Sequence, residues 1–264
     1  MIKQVFKKLH SLLSSSPASI PGDEIEIFPD DVFLVSYPKS GNTWVRFLVG
    51  NYITDCKVDF INSHLILPDV HFNPQDCAKI SSRPRFIKSH KSFISTYPKV
   101  VYIVRDGRDV AVSYYFYQIK IGNFDPNIPF SIFLEKFLEK GFNDFGSWSE
   151  HVQSWIDKKN IILITYEDLL DDAEKQLEKI LLFSNVEVDK NRISRAVKSS
   201  SFNHMQKLEV KQHDSSPPLM NVKNKEIQFM RKGRSGDWKS HFIKEDEERF
   251  LNKNKNIMKK LGYI

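Results

Sequence analysis

The chain turns on Phe33-Leu-Val-Ser-Tyr37, followed directly by Pro38-Lys-Ser-Gly-Asn-Thr-Trp44. A short apolar run breaks at Pro38 into a loop with one Gly and one Lys, and an amphipathic stretch runs on from Trp44 to Tyr52. Strand, tight loop and helix N-terminus form a backbone grip for an anion, because unpaired N–H groups and the positive end of the helix dipole converge there. Lys39, Ser40 and Thr43 add side-chain donors. In the familiar phosphate loop, G-x-x-x-x-G-K-[ST], Lys follows the second Gly. Here Lys39 precedes Gly41, so the chemistry of the loop is kept while its register departs from that of ATP-binding enzymes.

Further apolar runs recur at residues 86–88, 100–104 and 161–165. Helical patterns occupy 43–53, 108–119, 131–140, 147–158, 167–184 and 190–198. Strands apolar on both faces that alternate with helices predict an α/β fold, with a central parallel sheet covered by helices on both faces. Such sheets place ligands at the C-terminal ends of their strands, where the loops after Tyr37 and Val104 lie. From Met205 to Trp238 the chain is polar and without strong periodicity, which predicts a lid or an unstructured segment. Residues 244–261 read as a charged amphipathic helix.

The 264 residues are 41% hydrophobic and 27% charged, which fits an ordinary globular chain rather than a disordered or membrane one. The formal net charge of +6 favours an anionic partner. The basic residues are scattered, with no arginine-rich run, so a phosphorylated small molecule is expected and nucleic acid is not. Cys56 and Cys77 have no metal-ligand spacing and suit a reducing, cytoplasmic setting. No apolar run reaches membrane-spanning length. Ile2, Val5, Phe6, Leu9 and Leu12–Leu13 recur at helical spacing among lysines. A helix packed on its own domain is the simpler reading of residues 1–20, and peripheral membrane contact through residues 1–13 is the other.

Three more constellations carry chemistry. Val100-Val-Tyr-Ile-Val-Arg-Asp-Gly-Arg-Asp109 ends a strand in Arg105, with Ser113 one to two turns into the next helix. An Arg fork there can take a phosphate, although pairing with Asp106 or Asp109 explains it as well. Arg231-Lys-Gly-Arg-Ser-Gly-Asp-Trp238 sets two cations beside a glycine that allows close backbone approach. Phe86-Ile-Lys-Ser-His90 puts Lys88 and His90 on one side of a strand end. Histidine is the usual general base near neutral pH. The other seven histidines, His71 and His151 among them, show no comparable setting in the sequence.

These motifs occur in order with Gly146-Ser-Trp-x-x-His-Val-x-x-Trp155 and Tyr166-Glu-Asp168, and together they resemble the cytosolic sulfotransferases over roughly residues 20 to 260. The resemblance implies the P-loop-like sulfotransferase fold over residues 21–264. It implies 3′-phosphoadenosine 5′-phosphosulfate (PAPS) as sulfuryl donor, PAP as product, a small-molecule hydroxyl or amine as acceptor, and no metal. Carried over, Lys39, Ser40, Gly41, Asn42 and Thr43 cradle the 5′-phosphosulfate and Trp44 stacks on adenine. Arg105, Ser113, Arg231, Lys232 and Gly233 take the 3′-phosphate; Tyr166, Ser200, Phe202 and Met205 form the adenine slot. His90 is the general base, and Lys39 and Lys88 neutralise charge on the transferring group. Residues 55–85, 120–129 and 205–230 are expected to line the acceptor pocket. Lys91-Ser92 replaces an apolar residue and Pro, which admits a polar or anionic acceptor. The family's dimer signature aligns with residues 239–248, where Ile243-Lys244 replaces Thr-Val, so both monomer and homodimer stay open. The rival readings are a P-loop small-molecule kinase and a nucleotide-binding module without transfer activity.

Overall fold

Alternation along the first strand assigns its side chains to two opposite layers. In the computed structural model, which describes residues 25–72, 74–139, 143–212 and 222–264, this strand is β1, Val32–Ser36, and every residue of it is buried. Phe33 and Val35 enter one core cluster with Tyr102, Trp148, Trp155 and Phe250. Val32 and Leu34 enter the other, with Val45, Leu48, Leu177 and Ile193. Burial on both faces is why the run reads as continuously apolar.

Strand β2 (Phe86–Ser89), β3 (Lys99–Val104) and β4 (Ile161–Thr165) complete a four-stranded sheet in the order β2-β1-β3-β4. All three pairings are parallel, with Leu34 opposite both Lys88 and Val101. The chain leaves β1 toward β2 and leaves β3 toward β4, so the loops after β1 and β3 diverge and open a crevice between them.

Helix α1 (Asn42–Thr54) follows β1, a short α2 (Ser63–Ile66) lies before β2, and α3 (Gly107–Lys120) follows β3. Asp106 caps α3 by accepting from the Arg108 N–H at 2.9 Å. Helices α4 (Phe130–Leu138) and α5 (Trp148–Trp155) cover the face that carries Trp148 and Trp155; Ser147 and Glu150 start α5 with a reciprocal capping box. After β4 the expected single helix over 167–184 is two: α6 (Tyr166–Asp171) and α7 (Ala173–Phe183). Asp172 leaves the helical region, and its side chain caps α7 through the Lys175 N–H at 2.9 Å. An aspartate that caps in the middle of an apolar-periodic run leaves no glycine or proline signal.

Helix α8 (Lys190–Ser199) is as expected, whereas α9 (Phe202–Gln212) falls mostly in the stretch read as aperiodic. Its inward face carries Met205, Glu209 and Gln212, so buried polar side chains hide the apolar period. The charged tail forms α10 (Lys244–Lys260), with Ile243 and Lys244 at the surface of its first turn. The N-terminal segment over residues 1–20 lies outside the described residues. Among the described residues, no helix is long and apolar enough to cross a membrane.

Candidate active site

The loop after β1 enters α1 through two residues with positive φ, Lys39 (72°) and Gly41 (105°). A Cβ on Gly41 would stand 2.7 Å from Cδ2 of Tyr166, so sterics and backbone both demand glycine there. Asn42 ties the loop to the sheet by donating to the Leu34 carbonyl at 3.0 Å and to Ser36 Oγ at 3.3 Å. Gly41 supplies no side-chain cap, and its carbonyl accepts from the Trp44 N–H at 3.0 Å. Ser40 Oγ is buried with no hydrogen-bond partner among the described residues.

Arg105, at the end of β3, lies across the crevice with its guanidinium carbon 4.2 Å from the Tyr166 ring centroid. It donates to the Arg234 carbonyl at 2.8 Å and stays 3.8 Å from Asp109, while its Nε is buried and unpartnered among the described residues. Asp109, besides this ion pair with Arg105, serves the basic loop, accepting from the N–H groups of Gly236 at 2.7 Å and Trp238 at 2.9 Å. Asp237 gathers the loop's cations, Arg231 at 2.5 Å, Lys232 at 2.8 Å and Arg234 at 2.7 Å. Gly233, at φ 59°, packs on Phe202 so closely that a Cβ would come within 2.3 Å of the ring.

Beyond β2, His90 is held at three points. Its backbone N–H donates to Nε2 of His71 at 2.7 Å, and its carbonyl lies 3.0 Å from Nε2 of His151. Its Nδ1 lies 2.7 Å from the Ser36 carbonyl. A carbonyl only accepts, so Nδ1 of His90 and Nε2 of His151 carry protons. Nε2 of His71 is the unprotonated nitrogen, since it accepts. The remaining nitrogen of His90, Nε2, therefore keeps a lone pair. Burial first, then the nearby Lys88 ammonium, hold the His90 imidazole well below its ordinary value. Burial likewise draws His71 and His151 down to about 4.

Lys88 is ion-paired with Asp69, and both side chains are largely buried. Burial opposes the Asp69 charge, yet the Lys88 ammonium, with His90 and Arg46 nearby, holds this carboxyl well below the usual range. Lys39 extends between two rings, its Nζ 4.4 Å from the centroid of Tyr117 and 4.2 Å from that of Phe229. Burial and the neighbouring Arg105, Lys120 and Arg231 cations pull it down to about 7.

One cavity of about 1510 Å³ joins these groups. Of the residues expected from sequence, Lys39, Gly41, Asn42, Thr43, Trp44, Lys88 and His90 line it. So do Arg105, Ser113, Tyr166, Phe202, Met205, Arg231, Lys232 and Gly233. Ser200 does not: it is fully buried and takes a hydrogen bond from Asn51 at 3.0 Å, while its neighbour Ser201 reaches the cavity. Ser40 is also beneath the surface rather than on it.

Several residues that line or back the cavity were not singled out from the sequence. His71 and Asp69 fall within the 55–85 stretch expected to line the acceptor pocket but carry no motif there, and only tertiary pairing with Lys88 and His90 singles them out. His151 stands in a quoted motif, but its role behind His90 depends on the fold. Glu209 accepts from the N–H groups of Phe229 at 2.5 Å and Met230 at 2.7 Å, which pins the loop that places Phe229 over Lys39. Lys120 backs Glu209 at 3.5 Å and donates to the Ile227 carbonyl at 2.5 Å.

A family model described as the sulfotransferase domain matches residues 29–262. Mouse sulfotransferase 1B1 is 33% identical over 250 residues, covering 86% of this chain and 82% of its own. Human sulfotransferase 1E1 is 30% identical over 270 residues, with 93% and 90% covered. Among solved structures, mouse sulfotransferase SULT7A1 complexed with PAP aligns at a TM-score of 0.69 and 29% identity, covering 89% of this chain and 86% of that one. Retinol dehydratase in complex with retinol and PAP aligns at a TM-score of 0.72 and 22% identity, covering 89% and 83%, a likeness of fold alone.

Proposed function

The chain belongs to the sulfotransferase-domain family, and from that premise we propose that this cavity transfers a sulfuryl group from PAPS to a hydroxyl or amine of a small molecule, with His90 as general base. The observation that carries the reading is the bond from His90 Nδ1–H to the Ser36 carbonyl, which leaves Nε2 free to take a proton beside Lys39 and Lys88.

The donor set suits PAPS. The N-terminus of α1 and Lys39 offer donors for a 5′-phosphosulfate; Arg105, Ser113 and Arg231 offer a second anion site; Trp44, Tyr166 and Phe202 supply aromatic surface. PAPS supplies an activated sulfuryl group on a phosphate leaving group. The acceptor oxygen or nitrogen bonds to sulfur as the bond from sulfur to the bridging oxygen breaks, and the acceptor proton passes to His90 Nε2. Lys88 and Lys39 stabilise the negative charge that shifts toward the leaving phosphate. An arriving anion also raises the Lys39 value from about 7, so binding itself keeps that ammonium charged.

Family membership decides against the kinase reading. The test is transfer of labelled sulfate from PAPS to a panel of phenols, alcohols, amines and sterols, together with thermal shifts. PAP should stabilise the protein by about 2.7 kcal/mol at a hundredfold excess over Kd, and ATP far less. PAP binding without transfer to any acceptor would instead leave an inactive binding module.

A further inference from the structure

Asp69 is joined to Lys88 through main chain as well as side chain. The Lys88 N–H donates to the Pro68 carbonyl at 2.8 Å and the Val70 N–H to the Lys88 carbonyl at 3.1 Å, a parallel bridge outside the β2 edge. Its Oδ2 meets the Lys88 ammonium, and its Oδ1 accepts from the His71 N–H at 2.9 Å. His71 in turn accepts from the His90 N–H. Upstream, Arg46 on α1 donates to the Ser63 and Leu67 carbonyls at 3.1 and 2.6 Å, which fixes this segment to the helix of the phosphate loop.

We propose that Asp69 is a positioning residue for sulfuryl transfer: one carboxylate oxygen keeps the Lys88 ammonium charged at the cavity wall, and the other sets the turn through which His71 holds His90. This rests on the sulfuryl-transfer reading of the cavity. Lys88 is largely buried, and burial alone strips a proton from a lysine. Among the described residues the charged or titratable groups facing it are Asp69, Arg46 on α1, His71 and His90. Asp69 is the one anion among them, and Arg46 works against the lysine's charge. Without the carboxylate, burial and Arg46 would act on the Lys88 ammonium unopposed.

The test is Asp69→Asn, which keeps the shape and removes the charge. The donor is labelled PAPS and the acceptor is the compound of highest turnover in the panel. The alkaline limb of kcat/KM for PAPS should move to lower pH by roughly one to three units, the reach of one close opposite charge. For each unit that Lys88 lies below the assay pH, activity falls about tenfold. At pH 6 the variant should bind PAP within about twofold of wild type, which shows that it is folded. Lysine ¹⁵Nζ NMR reads the same proton without an acceptor: Lys88 should be charged at pH 7 in wild type and lose its proton earlier in the variant. An unmoved alkaline limb, or an equal loss of activity at every pH, overturns the proposal, and so does a wild-type Lys88 already neutral at pH 7. The wild-type spectrum decides even if the variant does not fold. Wild type that transfers to no acceptor would instead count against the sulfotransferase reading, because the NMR result stands apart from it.

Discussion

The backbone N–H of His90 donates to Nε2 of His71 at 2.7 Å, and this contact distinguishes the two rings. The lone pair of His71 Nε2 is spent on that N–H. The lone pair of His90 Nε2 is not spent, because His90 uses Nδ1 on the Ser36 carbonyl. In the proposed reaction, then, His71 is a support and His90 the group that accepts the proton.

His90→Ala should lower kcat by roughly 10²–10⁴-fold, the usual contribution of a general base, and leave PAP affinity within a few fold. In wild type the acidic limb of kcat/KM should fall below pH 6.5, since burial and Lys88 keep His90 neutral under that value. A pH–rate profile checks the second point; a variant with full activity would sink the assignment of the base.

Asp109→Asn should loosen the basic loop. The carboxylate accepts from Gly236 and Trp238 N–H groups, and an amide nitrogen cannot accept. Bonds of this charged kind are worth about 1.5–3 kcal/mol, so PAP affinity should drop by roughly 10- to 100-fold. Hydrogen exchange at the Gly236 and Trp238 amides should speed up in parallel, and unchanged exchange would reject the account.

Lys120→Met should cost about 3–5 kcal/mol of stability, because it strands Glu209 with a buried charge. Adding Glu209→Gln should recover part of this loss in urea melts. Failure of the double variant to recover would mean that the pair does not act as a unit.

Acid should destabilise the protein through its buried histidines. His151 is fully buried and titrates near 4, against about 6.5 when unfolded. Between those values the unfolded chain binds the extra proton, so stability is complete above pH 6.5 and falls as pH drops toward 4. One such histidine gives a slope of up to about 1.4 kcal/mol per pH unit in that window. Urea midpoints that stay flat from pH 6.5 to 4.5 would contradict this.

The four strands, the anion loop and Lys88-x-His90 were legible because each is a local pattern: a doubly buried run, a strand-to-helix loop with one glycine, and an i, i+2 pair. Helix α9 was not, since Glu209 and Gln212 occupy its buried face and erase the period. The break at Asp172 was hidden for a related reason: a side-chain cap replaces the glycine or proline that punctuates most helix ends. At the end of α8 the backbone turns Ser201 toward the cavity, while Ser200 is buried on Asn51, a difference of one position that no local pattern carries.

Local patterning, then, was enough for the parallel sheet, for the anion loop at the start of α1 and for the family. Tertiary structure alone decided what surrounds Lys88 and His90. Asp69, His71 and His151 lie between 19 and 61 positions from their partners in the chain, and no periodicity links residues so far apart. The loop after β1, opened by Pro38-Lys-Ser-Gly41, has by itself the local geometry of the proposed anion cradle. What makes that cradle one wall of a reaction chamber is the packing that brings β2, the 68–71 segment and α5 against its rim.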